Sequence, residues 1–202
     1  MNVVERARNI ITTPNSEWNT IDAEADGASK VITNYVIPLA AIAAIAAFIG
    51  YAFIGVEWMG FRFRGVNWGL NQACIVLVSA ITSVYVTALV VDMLAPNFGS
   101  EKNFNKSLQL VAYSFTPAWI GGLLAIIPSI ALIGALFGLY GLYLMYIGLP
   151  KLKHTPADKQ VGYFVVIIIV TIVVYIIIGW LLGAIFTNIF GVSYNAGAFD
   201  VR

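Results

Sequence analysis

The chain has 202 residues, of which 60% are hydrophobic and only 10% charged, and its formal net charge is +1. A soluble domain carries roughly 25% charged residues, so an ordinary water-soluble fold and a disordered chain are both excluded. The near-neutral charge leaves no basic field for nucleic acid. The lone cysteine, Cys74, excludes a disulfide framework and a cysteine-based metal centre.

The first thirty residues hold five acids and no apolar core, so they do not read as a signal peptide. They predict two short amphipathic helices. Val3, Val4, Ala7, Ile10 and Ile11 follow a helical stripe. Pro14 suits the first turn of a second helix, on which Trp18, Ile21 and Ala25 share a face. Trp18 is expected either to lie in the lipid headgroup layer or to dock on the protein's own loops.

Beyond this region, charge-free stretches run from Val31 to Val56, Gly65 to Val91, Ser107 to Pro150 and Gln160 to Phe199. A crossing helix needs about 20 apolar residues. The third stretch, at about 1.5 Å per residue, is long enough for two crossings, with Pro128-Ser129 as the turn. The last is strongly apolar only to about Phe186 and holds one. Runs such as 165–180 are apolar on every side, which argues for helices over an alternating β-barrel. The expected fold class is therefore all-α: an integral membrane bundle of five helices. The spans are expected at about 34–55, 71–93, 107–127, 130–149 and 161–186. They form a domain of 33–189 between an amphipathic region, 1–32, and a short tail, 190–202.

Five crossings put the two ends on opposite sides. A cytoplasmic N-terminus places Arg6, Arg8, Lys30, Lys102, Lys106, Lys151, Lys153 and Lys159 inside and leaves Arg62, Arg64 and Arg202 outside. That is the positive-inside pattern, and it predicts a cytoplasmic N-terminus with an extracytoplasmic C-terminus. The outer loop 56–69 carries Trp58, Phe61, Phe63 and Trp68, which suit an aromatic belt.

Polar residues within the spans are the candidate intramembrane site. Gln72, Ser79 and Ser83 share one face of the second span, and Tyr85 and Asp92 another. The serines read chiefly as helix glue. Asp92 is expected at the interface, ionised and facing Lys102 or Lys106, because a mid-bilayer charge costs on the order of 3 kcal/mol or more. In the third span the run Tyr113-Ser114-Phe115-Thr116-Pro117 predicts a break: Pro117 cannot bond the carbonyl of Tyr113, which neighbouring hydroxyls or water can satisfy. Tyr140 and Tyr143 need partners within the bundle, while Tyr146 suits the interface. Ala40, Ala44 and Ala47, and the pair Gly134 and Gly138, are small-residue packing faces. The glycine pair fits internal packing or contact with a second copy or another membrane protein.

The loop of 150–159 holds His154 among three lysines. Lys151, Lys153 and Lys159, with Trp18, are the candidate lipid-surface contacts, each basic group contributing about 1 kcal/mol near an anionic surface. No metal or cofactor is expected. No nucleophile–base pair, phosphate loop or carboxylate dyad appears, so no catalytic residue is assigned and the chain does not read as an enzyme.

Three segments carry a resemblance: IITTPNSEWNTIDAE (10–24), FNKSLQLVAYSFTPAWIGGLLAIIP (104–128) and GLYGLYLMYIGLPKLKHTPADKQVGY (138–163). With them the chain resembles the Ypt-interacting-protein (Yip) family of polytopic membrane proteins, most of all its short prokaryotic branch. The resemblance spans nearly the whole chain and is most specific at AYSxTP and GLPxLxxTPxDKxxGY. It implies five transmembrane helices and no catalytic residues. Eukaryotic relatives are tied to Rab-type GTPases and vesicle traffic through a longer cytoplasmic N-terminal region. Only about thirty residues precede the first span here, a departure that argues against GTPase binding.

Two functions are compatible with these readings. One is a non-enzymatic scaffold that organises membrane lipids or partner proteins through its cytoplasmic face. The other is a transporter or channel for an ion, proton or small solute, built on the polar second span and the broken third. Five spans without internal symmetry fit secondary transport poorly.

Overall fold

The computed structural model describes residues 2–58 and 61–191, and only the backbone of 58, 61, 62 and 135. Two short helices, α1 (Val3–Thr12) and α2 (Pro14–Ala23), precede the membrane domain. Five helical segments then follow that are long and apolar enough to cross a bilayer: Ala28–Ile54, Val66–Phe98, Phe104–Ile126, Pro128–Leu152 and Ala157–Ile189. Hydrocarbon offers no partner to an open backbone group, so apolar runs of this length settle as helices. The protein is an all-α membrane bundle. Its extended structure among the described residues is a two-stranded antiparallel ribbon, β1 (Val56–Trp58) with β2 (Phe61–Phe63), between the first two spans. Of the expected aromatic belt, Phe63 and Trp68 meet at 6.3 Å, and Trp68 stacks on Tyr51. The side chains of Trp58 and Phe61, and residues 192–202 of the expected tail, lie outside the described residues.

The first and third spans are broken within their length, and a proline stands at one break in each. The first runs through α3 (Ala28–Val31), a π-helical turn (Ile32–Val36), α4 (Ile37–Ile49) and a second π turn (Gly50–Ile54). Pro38 has no N–H for the carbonyl four residues back, and the turn before it widens, Ile37 N–H bonding the Ile32 carbonyl. The third span divides into α6 (Phe104–Ser114), α7 (Thr116–Gly121) and a 3₁₀ segment (Gly122–Ile126). Here Pro117 leaves the Tyr113 carbonyl free, and the Thr116 hydroxyl donates to it at 2.7 Å. The chain reverses at Ile127, which is extended before Pro128. The second, fourth and fifth spans are built on α5 (Val66–Leu94), α8 (Ala131–Leu152) and α9 (Ala157–Ile189).

Packing around the third span sets the architecture. It is the most enclosed of the five, whereas most of the fifth faces outward. Along α8, Gly134, Gly141 and Gly148 recur every seven residues and form one seam against it. A Cβ at Gly134 would sit 2.3 Å from the Gly121 carbonyl oxygen, and one at Gly141 2.5 Å from that of Ser114. Such distances allow only glycine and let the backbones touch. Gly138 has open space around it, so the expected Gly134 and Gly138 face is corrected: the pair is split. Gly134 is used inside the bundle, and a Cβ at Gly138 would meet no neighbouring atom.

The largest fully buried side chains gather at one end, around Trp18, Tyr35, Tyr113, Lys153 and Tyr163. That is the end bearing α1, α2 and most of the lysines. Ala40, Ala44 and Ala47 are buried where α4 meets α5 and the 3₁₀ segment.

Gly134→Leu should lower thermal stability in detergent by about 1–3 kcal/mol through overpacking. Gly138→Leu should leave the unfolding midpoint within a degree or two of wild type, as read by tryptophan fluorescence.

Candidate functional site

Two charged assemblies close the lysine-bearing end of the bundle. The first is built where α5 ends, α6 begins and α8 passes into α9. Lys153, just past the end of α8, is fully buried, and its ammonium meets Asp92 at 3.2 Å and the Asn103 carbonyl at 3.3 Å. Asp92 also accepts from the Ser107 hydroxyl at 3.1 Å. Burial pulls the Lys153 pKa below its ordinary value, against the hydrogen bond and charge of Asp92. The backbone joins in: Glu101 N–H donates to the Lys153 carbonyl at 2.9 Å. Ser100 donates to Thr155 at 2.8 Å, and the Tyr163 hydroxyl donates to the Val91 carbonyl. His154, at φ +48°, reaches Glu101 at 3.1 Å.

The second assembly docks the amino-terminal helices. Arg6 is buried, paired with Glu17 and Glu24, and its guanidinium lies 5.6 Å from the centre of the Tyr113 ring. Burial lowers the Arg6 pKa, but the hydrogen bond and charge of Glu24, with Glu17, outweigh it and hold the pKa above its ordinary value. Lys106 donates to the carbonyls of Ile21, Asp22 and Glu24. A cation at a helix C-terminus meets both the free carbonyls and the dipole, so Lys106 caps α2. Tyr140 donates to the Ile11 carbonyl at 2.8 Å, and Asn105 accepts from the N–H of Ala28 at 3.0 Å.

The residues expected to form one intramembrane site are distributed among separate contacts. Thr116 is buried between the Tyr113 carbonyl and the Tyr35 hydroxyl, which lies 2.7 Å away. Ser83 is buried and donates to the carbonyl of Ser79 one turn back. Pro117 makes the break and Tyr113 lies beneath Arg6. Tyr85 and Asp92 do not act together. Tyr85 is 45% exposed and packs on Phe104, whereas Asp92 is 8% exposed, since seven residues turn the helix about 20° short of a full repeat and its neighbours differ at the two depths. Tyr143, expected to need an interior partner, is also exposed.

Three expectations at the surface change. Asp92 pairs with Lys153 and not with Lys102 or Lys106, because α8 brings Lys153 back across the end of α5. Lys153 is consequently no lipid contact. Trp18 is none either: it is fully buried, with its ring edge-on to Tyr113 at 6.4 Å and against Gly148. Arg6 and Lys106 fix α2 against the bundle, so the indole cannot reach headgroups. Lys151 and Lys159 remain exposed.

Sequence reasoning passed over Arg6, Glu17, Glu24, Tyr35 and Gln109. The available signal was a charge within a stripe: Arg6 stands one turn from Val3 and Ile10, on the buried face of α1. Among the described residues no group of three His, Cys, Asp or Glu side chains could hold a metal ion.

Comparison with known proteins gives the following. Residues 8–181 match the Yip1 domain. The chain is similar to "Inner membrane protein YohC" of Escherichia coli strain K12, 26% identical over 155 residues, covering 74% of this chain and 80% of that protein. The protein of the same name from Escherichia coli O6:H1 is similar to the same extent. No solved structure matches.

Removing either member of the Lys153–Asp92 pair leaves a buried charge uncompensated, at about 3–5 kcal/mol. Asp92→Asn and Lys153→Met should therefore each unfold the protein at markedly lower temperature. The double variant should lose less than the sum of the two, a coupling that a double-mutant cycle measures. Arg6→Met removes charged hydrogen bonds of about 1.5–3 kcal/mol each. It should expose α1 and α2 to limited proteolysis at least tenfold faster, while the spans stay protected.

Proposed function

The chain belongs to the Yip1 family, and from that premise we propose that it is a non-enzymatic inner-membrane scaffold whose lysine-bearing end faces the cytoplasm. Eight basic residues against three support that orientation by the positive-inside rule. The name carried by the relatives from Escherichia coli supports the inner membrane. The scaffold is read as presenting a rigid face, made of docked α1 and α2 and the 150–159 loop, to lipids or partner proteins. GTPase docking is no part of this reading.

A single observation carries the proposal. Ser83, Thr116 and Asp92, the side chains that a conducting pathway would use, are each buried and bonded to their own chain. Polar groups so engaged rigidify a core rather than carry a solute. A transport reading keeps one point in its favour. The hydroxyls of Thr87, Ser114 and Thr171 are buried without a hydrogen-bond partner, and such groups in a membrane interior are places where water or a solute binds.

Flux in proteoliposomes separates the two. The scaffold reading expects proton and potassium leakage equal to that of protein-free vesicles. It also expects Lys151→Gln with Lys159→Gln to reduce co-purified phosphatidylglycerol, by about fivefold per lysine for a contribution near 1 kcal/mol each. Flux that falls in Thr116→Val would favour transport, and unchanged lipid content would remove the lysines from the lipid contact.

A further inference from the structure

Between the segment that follows α2 and the first turns of α6 lies a recess of about 300 Å³, lined by Asp22, Glu24, Asp26, Asn103, Lys106 and Gln109. Its cations are already engaged. Lys106 is held by three carbonyls and by Asp22 at 3.4 Å, Arg6 holds Glu24, and Lys30 holds Asp26 at 2.6 Å. What remains is a surplus of acceptors. Gln109 is 1% exposed, and its side-chain N–H donates to the Asp26 carbonyl at 2.9 Å. That bond fixes which way the amide points and leaves Oε1 buried with no donor. The second carboxylate oxygen of Glu24 is buried without a donor as well. Buried acceptors of this kind are met by an ordered water or by a ligand that brings hydrogens.

The chemistry narrows the ligand. A bare metal ion fits poorly, since among the described residues no three carboxylate, imidazole or thiol groups converge and an ammonium already stands in the wall. A primary ammonium carries three donors and one charge, which matches the two free acceptors and the acidic lining. Ala28 and Phe104 begin the first and third crossing segments, so the recess opens at the level of the lipid headgroups. Lys30, which is exposed, stands one turn beyond Asp26, within the layer that phosphate groups occupy. We propose that the recess between residues 22–26 and α6 binds the primary ammonium of an ethanolamine phospholipid, with Gln109 Oε1 and Glu24 Oε2 as the acceptors and Lys30 beside the phosphate. This goes beyond the scaffold reading and does not depend on which side of the membrane this end faces.

The test uses the full chain in detergent and follows its thermal unfolding with added lipid. Phosphatidylethanolamine should raise the midpoint by several degrees. Phosphatidylcholine, whose nitrogen bears no hydrogen, and phosphatidylglycerol should give less than a third of that shift. Gln109→Met should weaken the ethanolamine-specific response at least fivefold and leave the other two unchanged. Water-soluble glycerophosphoethanolamine tests the source of the headgroup: an equal shift at equal concentration would mean a soluble ligand and overturn the lipid assignment. A measurement on the wild type guards against a variant that misfolds. A photoreactive phosphatidylethanolamine should label peptides containing 22–26 or 103–109, with competition by unlabelled phosphatidylethanolamine and not by phosphatidylcholine. Equal responses to the two lipids, an intact response in Gln109→Met, or labelling confined to other segments would each overturn the site.

Discussion

A lysine ammonium with no exposed surface is stable only while its carboxylate stays in place, and the Lys153–Asp92 pair is that constraint here. It lies at the junction of the α5–α6 connection and the passage from α8 to α9, two pieces of chain that have no covalent reason to meet. Charge neutrality fixes their mutual height at this end of the bundle. The bonds of Ser107, Asn103 and Glu101 to the same pair then close the loop around it. Any packing that separated the two would strand one charge in the interior.

The amino-terminal helices obey the same logic. Arg6 sits on an apolar stripe, so docking α1 buries a guanidinium, and docking is possible only with Glu17 and Glu24 from the following turns. Trp18 and Ile10 supply the apolar surface that draws the segment in, and Lys106 stops α2 by capping its carbonyls. The result is a lid made by the chain itself over the Tyr113 break. It also leaves Gln109 with an unused acceptor just beneath that lid.

The third span shows how a membrane helix can be broken without leaving open backbone. Pro117 frees one carbonyl, Thr116 takes it, and Tyr35 from the widened turn of the first span completes the contact. The glycine seam of α8 lets a helix lie directly against this irregular backbone. Irregularity is tolerated at such a depth because it is enclosed by protein rather than by lipid.

How much of this was legible differs by the range of the interaction. Spans and proline breaks follow from neighbouring residues, and the order of the three blocks pointed to the family; that the Thr116 hydroxyl meets the Tyr113 carbonyl came from the structure. Lys153 was misread as a surface group and Trp18 was left between the headgroups and the protein's own loops, because amphipathic and lysine-rich segments usually are exposed and the burial of both depends on chain far away. Length of apolar run, charge bias and the position of prolines are local quantities, and five helices follow from them. The partner of Asp92, 61 residues distant, the split of Gly134 from Gly138 and the burial of Arg6 were decided only by the tertiary structure. Each depends on which faces of two helices meet, and that is set by packing and charge neutralisation across the whole bundle.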